Sequence, residues 1–412
     1  MRKALKARCI IFANNKPLYD HAIIVNDNII EEIIPNAEVS IKKNKIINLS
    51  NSILMPGLIN AHIHLELEWV KRNLLPFSSF ASWLEQIIDL KKGMNQEKVI
   101  LESVRSSIEN SIDTGVTTIG QISSYDGLDL KNIIKSKIRT VYFFEITNST
   151  IMRTTTKTFK RLLLMNKKGK DAMFNLRLFP HSIYSLDTRK LREIFKIAKE
   201  KELGLGIHLA ESIDEFKLSK GKQNDIEKLV FPLLSRKPKI NTQNSSPLSY
   251  LSRINKDNLF VSLVHMNNLT NSDLELLKKR KYPVILCPRS NLFLNQKLPN
   301  LKFFMNYEKA GLGTDGLSSN FSINLMDEIR FLYLNSKKIV KQDCEVRVLE
   351  KATIGGARAL GIDNYVGSLE AGKRADIIGF KQINLNPYMS VINSNQDDLT
   401  FSMINGKVVR LK

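Results

Sequence analysis

Past Met55 the chain alternates short apolar runs with amphipathic stretches, and this pattern restricts its fold more than any other feature. Apolar runs bounded by turn signals read as buried strands, and their alternation with helical periodicity marks repeated βα units around a parallel sheet. The strand candidates are 57–62, 116–122, 140–146, 174–179, 204–209, 259–265, 284–287 and a last one ending at Asp315. Eight such units are the number that closes a barrel. The expected fold class is therefore α/β, with a (β/α)8 TIM-like barrel over residues 55–363. The eighth strand, within Glu308-Lys-Ala-Gly-Leu-Gly313, carries fewer large apolar residues than a buried parallel strand usually does. Its packing needs a separate explanation.

The two ends of the chain have a different character. Residues 4–54 hold β-rich runs such as Cys9-Ile-Ile-Phe12 and Ala22-Ile-Ile-Val25, separated by Asn, Asp and Pro. Similar segments return at 376–380 and 399–409, the second with a hairpin signal at Asn405-Gly406. If these pair, residues 1–54 and 364–412 build one small β domain beside the barrel. Between 210 and 258 lies an insertion, rich in Asn, Ser, Gln and Pro at 241–247, that is expected to loop over the barrel mouth.

Composition removes several function classes. The formal charge of +21 comes from 62 Lys and Arg against 41 Asp and Glu, but the lysines are spread through nearly every helical stretch. Nucleic-acid binders cluster their basic residues, so no nucleic-acid partner is expected. Cys9, Cys287 and Cys344 lie far apart without a CxxC pair. That spacing argues against a disulfide framework or a thiolate metal site and fits a reducing compartment. The apolar run at 9–13 is too short for a signal-peptide core, and no stretch reaches the ~18 apolar residues that span a bilayer. A cytoplasmic protein with no membrane partner is expected.

Five of the six histidines, His62, His64, His181, His208 and His265, fall at the ends of strand candidates. In a barrel of this kind the C-terminal strand ends carry the active site. His62 and His64 are two apart, so on a strand both point the same way and can hold one ion together. His208 ends the fifth strand and Asp315 the eighth. Alone, His208 reads equally well as a core histidine and Asp315 as a turn former before Gly316. Together with the His62–His64 pair they form a three-imidazole, one-carboxylate set suited to one divalent metal ion, zinc or iron, with a position left for water. A bound ion of this kind acidifies water toward a pKa of about 7, and the chemistry then needs a proton carrier. Glu211, three residues past His208, is the candidate. His265 is placed to hydrogen-bond the attacking oxygen and steady the intermediate. His64-Leu65-Glu66 offers half of the HxE and PCxxC pattern of zinc nucleobase deaminases, but the other half is absent.

The stretches Pro56-Gly-Leu-Ile-Asn-Ala-His-Ile-His64, His208-Leu-Ala-Glu211, Leu286-Cys-Pro-Arg-Ser-Asn291, Gly313-Thr-Asp-Gly-Leu-Ser-Ser-Asn320 and Gly367-Ser-Leu-Glu-Ala-Gly-Lys-Arg-Ala-Asp376 resemble the motifs of the amidohydrolase superfamily, in that family's order. The resemblance implies a barrel with an attached β-sandwich. It points to the branch of deaminases and chlorohydrolases acting on triazines, guanine and adenosine-like compounds, whose members are often homodimers. Binuclear members use a carboxylated lysine on the fourth strand, and residues 175–182 contain none, so one metal is implied. Phe77-Ser-Ser-Phe-Ala-Ser-Trp-Leu84, Phe144-Glu145 and Ser318-Ser-Asn-Phe-Ser-Ile-Asn-Leu-Met-Asp-Glu328 resemble deaminases of an adenine nucleoside extended by a benzoate. That resemblance makes a small, nucleoside-like molecule the expected substrate. His181 and Glu145 become candidate contacts to its base or ribose, with a buried structural role as the alternative. Arg289 becomes either a partner for the carboxylate or a solvated loop residue.

Overall fold

The computed structural model describes residues 2–12, 16–93, 97–148, 157–168, 173–234 and 236–412. The β-rich N-terminal runs form β1 (Arg2–Ile10), β2 (Leu18–Tyr19), β3 (His21–Asn26), β4 (Ile29–Pro35) and β5 (Lys45–Pro56). After Gly57 the chain enters the barrel through β6 (Leu58–Ile63). Only glycine fits at this junction, because a Cβ on residue 57 would overlap the Thr117 side chain. The strands β7 (Val116–Ser123), β8 (Arg139–Ile146), β9 (Phe174–Pro180), β10 (Gly204–Leu209), β11 (Val261–His265), β12 (Val284–Leu286) and β13 (Ala310–Leu312) follow, each parallel to its predecessor. The expected eight-stranded α/β barrel is present.

The last strand joins the first by an irregular seam. The backbone N–H groups of Thr314 and Asp315 both donate to the His62 carbonyl at 3.1 Å. The Asn60 side chain completes the join, donating to Thr314 Oγ1 at 2.8 Å and accepting from Thr314 N at 3.1 Å. The poverty of large residues in the eighth strand has a packing reason. The helix Ile354–Ala359 lies so close that a Cβ on Gly311 would stand 2.7 Å from the Gly356 backbone. Bulk there would push the helix off the barrel.

β14 (Ile377–Lys381), β15 (Leu399–Ile404) and β16 (Lys407–Leu411) return to the N-terminal unit and extend it into one mixed sheet, ordered β16-β15-β14-β5-β1-β3-β4 with β2 on β1. Asn405 and Gly406 both take positive φ, 49° and 74°, as the two-residue turn of a hairpin requires. The barrel and this sheet are pinned together by Arg139, which is fully buried and grips Asp376 with two hydrogen bonds of 2.7 and 3.0 Å.

Val141, Phe143, Phe179, Val264, Ile285 and Cys287 belong to one buried cluster. Residues two apart on a strand share a face, so Glu145 and His181 continue the Phe143 and Phe179 rows toward the C-terminal mouth. Over that mouth lies the helix Phe80–Lys92, begun by a capping box at Ser79 and Ser82. The insertion after Glu211 packs against this helix through a short π-helix, Ile226–Val230. Among the described residues, no helix is long and apolar enough to cross a membrane.

Candidate metal centre and active site

His62 and His64, on and just past β6, His208 near the end of β10, and Asp315 just past β13 meet at the C-terminal face. His62 Nε2 lies 3.2 Å from His208 Nε2 and 3.4 Å from Asp315 Oδ1, and His64 Nε2 lies 3.5 Å from the same oxygen. The loop that presents Asp315 is strained: its φ is +60°, a left-handed conformation that costs any residue but glycine, although Asp tolerates it better than most. Gly313 makes the approach possible, because a Cβ there would stand 2.7 Å from that of His62.

These donors fit a divalent ion. His208 Nδ1 gives its proton to the His181 carbonyl at 3.0 Å, so Nε2 presents a lone pair. Burial pushes the pKa of His208 well below its ordinary value and lowers that of His62 despite the neighbouring Asp315. The His208 Nε2 lone pair thus faces His62 Nε2 at 3.2 Å beside the Asp315 carboxylate, a set of donors that a cation would draw together. Ligands about 2.0–2.1 Å from a tetrahedral ion stand roughly 3.3 Å apart, matching the observed spacings. Burial alone would raise Asp315, but His62, His64 and His265 hold its carboxyl well below the usual range. Its outer oxygen, Oδ2, accepts hydrogen bonds from Ser290 Oγ and Ser319 Oγ, both at 2.7 Å.

Glu211 and His265 form the second half of the site, with Glu211 Oε1 3.4 Å from His265 Nε2. A chain of amides sets the imidazole tautomer. Asn267 Nδ2 donates to the Glu211 carbonyl, so Asn267 Oδ1 accepts from Asn291 Nδ2 at 2.7 Å, and Asn291 Oδ1 faces His265 Nδ1 at 3.0 Å. Nδ1 therefore carries the proton, and Nε2 turns a lone pair toward Glu211. Burial lowers His265 to about 4. Burial, with Asp315 and Glu215 nearby, raises Glu211 well above the ordinary carboxylate range. His265 itself adopts φ +77°, a second strained position at the site.

Glu145 Oε1 and His181 Nδ1 pair at 2.7 Å. Burial opposes the charge on Glu145, yet His181, Lys91 and His64 bring its pKa down to about 2. Both side chains line the cavity above the metal donors, together with Phe80, Trp83, Leu84, Ile87 and Lys91 of the covering helix. The structure does not bring Arg289 there. Its guanidinium turns to Asp327 and Glu328, at 3.7 and 3.6 Å, and holds the helix that follows the eighth strand. The cation facing the cavity is instead Lys91.

The cavity measures only about 50 Å³, well below the roughly 300–1,000 Å³ of small-molecule sites, so the covering helix closes it. Trp83 Nε1 donates to the Ser318 carbonyl at 2.8 Å, latching this helix to the loop that carries Asp315. A larger cavity of about 710 Å³, lined by Lys351, Arg347 and Tyr388, lies beside the segment that enters β13, at the opposite end of the barrel from these donors. The holders of Asp315 and His265, namely Ser290, Ser319, Asn267 and Asn291, had no role assigned from sequence. Three of them sit inside the motifs 286–291 and 313–320, so position within a motif was the available signal.

Residues 53–409 match the Amidohydrolase family, and residues 5–48 match the NagA composite domain. A 5'-deoxyadenosine deaminase of Methanosphaera stadtmanae is 27% identical over 399 residues, spanning 94% of this chain and 87% of the relative. An aminodeoxyfutalosine deaminase of Nitratiruptor is 29% identical over 362 residues, spanning 86% and 84%. The crystal structure of Helicobacter pylori aminofutalosine deaminase with methylthio-coformycin superposes with a TM-score of 0.83 at 24% identity, covering 99% of this chain and all of that one.

Proposed function

The chain belongs to the amidohydrolase family, and we propose that within it the protein is a hydrolytic deaminase of an adenine-type nucleoside. The substrate we infer is 6-amino-6-deoxyfutalosine, converted to futalosine and ammonia in menaquinone biosynthesis. The observation that carries the deaminase reading is the convergence of His62, His64, His208 and Asp315 beside a Glu211–His265 pair. One zinc or iron ion held by the first four would supply Lewis acidity, lowering the pKa of water from 15.7 toward about 7.

The remaining steps belong to the protein. His265 Nε2 accepts a hydrogen bond from the attacking water and aims it at the ring carbon that bears the amine. Glu211, which lines the cavity beside that nitrogen, carries one proton from the attacking water to the ring nitrogen and the second, as the carbonyl forms, to the departing amine. Glu145 and His181 meet the base or ribose, and the helix Phe80–Lys92 keeps bulk water out. The substrate choice is supported by the stretches 77–84, 144–145 and 318–328 and by the Nitratiruptor relative. The similar match to a 5'-deoxyadenosine deaminase favours a second reading, in which the nucleoside carries another group at the 5' position.

Ammonia release from 6-amino-6-deoxyfutalosine, 5'-deoxyadenosine, methylthioadenosine, S-adenosylhomocysteine, adenosine and guanine separates these readings. The aminodeoxyfutalosine should show the highest kcat/KM. A higher value for another nucleoside would replace the substrate and keep the chemistry, and release from none of them would remove the deaminase reading.

A further inference from the structure

Two of the four metal donors have their far atoms secured: His208 Nδ1 by the His181 carbonyl, and Asp315 Oδ2 by two serine hydroxyls. His64 Nδ1 is buried and has no hydrogen-bond partner among the described residues. The polar group facing it is the carboxylate of Glu66, whose Oε1 lies 3.9 Å away. Glu66 is 1% exposed and belongs to no step of the proposed reaction. We propose that Glu66 is a positioning residue for the metal centre, accepting a hydrogen bond from His64 Nδ1–H and so turning Nε2 toward the ion.

The surroundings of Glu66 leave that role open to it. Oε2 accepts from Gln121 Nε2 at 2.9 Å, and Oε1 accepts from Ser124 Oγ at 2.7 Å. Ser124 in turn accepts from Lys91 Nζ at 3.1 Å. Oε1 therefore keeps a lone pair on the side of His64. Gln121 also clamps the backbone that joins the two residues, since its Oε1 accepts from Leu65 N at 3.1 Å. With the main chain and Glu66 both held, closing 3.9 Å to a hydrogen bond of about 2.8 Å takes only a small turn of the His64 ring. The charges agree as well. A divalent ion with three neutral imidazoles and Asp315 carries a residual unit of positive charge, and Glu66 is a second buried anion beside that set. Carboxylates behind metal-bound imidazoles fix ring orientation and raise ligand basicity, and their loss typically weakens metal affinity about 10–100-fold.

This inference rests on the metal reading of the site, and Zn²⁺ competition against a chelator tests the two separately. Unmodified protein should bind about one Zn²⁺ per chain, and Glu66→Gln should raise the Zn²⁺ dissociation constant about 10–100-fold while the metal-free variant keeps the melting temperature of the metal-free parent. No Zn²⁺ binding by the parent would remove the metal reading. Equal affinity in parent and variant would remove Glu66 from the role and leave the metal reading intact. Should the variant fold poorly, the parent labelled with ¹⁵N-histidine decides: Zn²⁺ should produce a downfield, slowly exchanging Nδ1 proton on His64, and its absence overturns the inference.

Discussion

Replacing Glu211 by Gln removes the proposed proton carrier between water and the ring, and the structure predicts what else should stay unchanged. The side chain keeps its size. Its backbone carbonyl remains held by Asn267 Nδ2 at 3.0 Å and Asn268 Nδ2 at 3.1 Å, so the strand end should not move. Glu211 is nearly fully buried, and burial disfavours a charge at this position, so a neutral amide of the same size is tolerated in its place. A placed proton carrier contributes about 10²–10⁴ in rate, or roughly 2.7–5.4 kcal/mol at 1.36 kcal/mol per decade. The expected result is a kcat reduced by that factor, one metal per chain as in the parent, and a melting temperature equal or slightly higher. Steady-state ammonia release, elemental analysis and thermal melts read the three quantities. A rate loss below tenfold, or metal lost in parallel with activity, would refute the assignment: the first because no proton is being carried, the second because Glu211 would then be a ligand.

Ser290→Ala and Ser319→Ala should each weaken Zn²⁺ binding about 10–100-fold by releasing Asp315 Oδ2. The double variant should depart from additivity because both hydroxyls serve one oxygen, which chelator competition would show. Trp83→Phe deletes the latch to Ser318, worth about 0.5–1.5 kcal/mol, so amides of the helix Phe80–Lys92 should exchange about 2–12-fold faster; unchanged exchange would remove the latch. Burial and then Glu66 raise Asp129 to about 6 from 3.8. A carboxyl raised in the folded state contributes stability that is full below pH 3.8 and lost as pH rises through 6. Parent stability relative to Asp129→Asn should therefore fall by about 3 kcal/mol across that window in denaturant melts, and a flat difference would contradict it.

The period of the apolar pattern was enough to call the barrel, because every buried parallel strand must be apolar on both faces and every outer helix on one. It located β13 as well but left its small residues unexplained, because the controlling contact there is with the distant Gly355-Gly356 helix. The proposed metal donors stood out in the sequence because ligation restricts residue type and strand geometry restricts spacing, and the fold brings His62, His64, His208 and Asp315 together. Arg289 illustrates the opposite case. Nothing local distinguishes a cation that enters a cavity from one that pairs with Asp327 and Glu328 almost 40 residues later.

The linear chain thus determined the βα repeat and the chemical type of the donors, both properties of residue identity at short range. Tertiary structure alone decided the strained approach of Asp315 to His62, the tautomer of His265 set through two side-chain amides, and the closure of the cavity by the helix Phe80–Lys92. Each of these depends on groups tens to hundreds of residues apart, whose distances only the closed barrel defines.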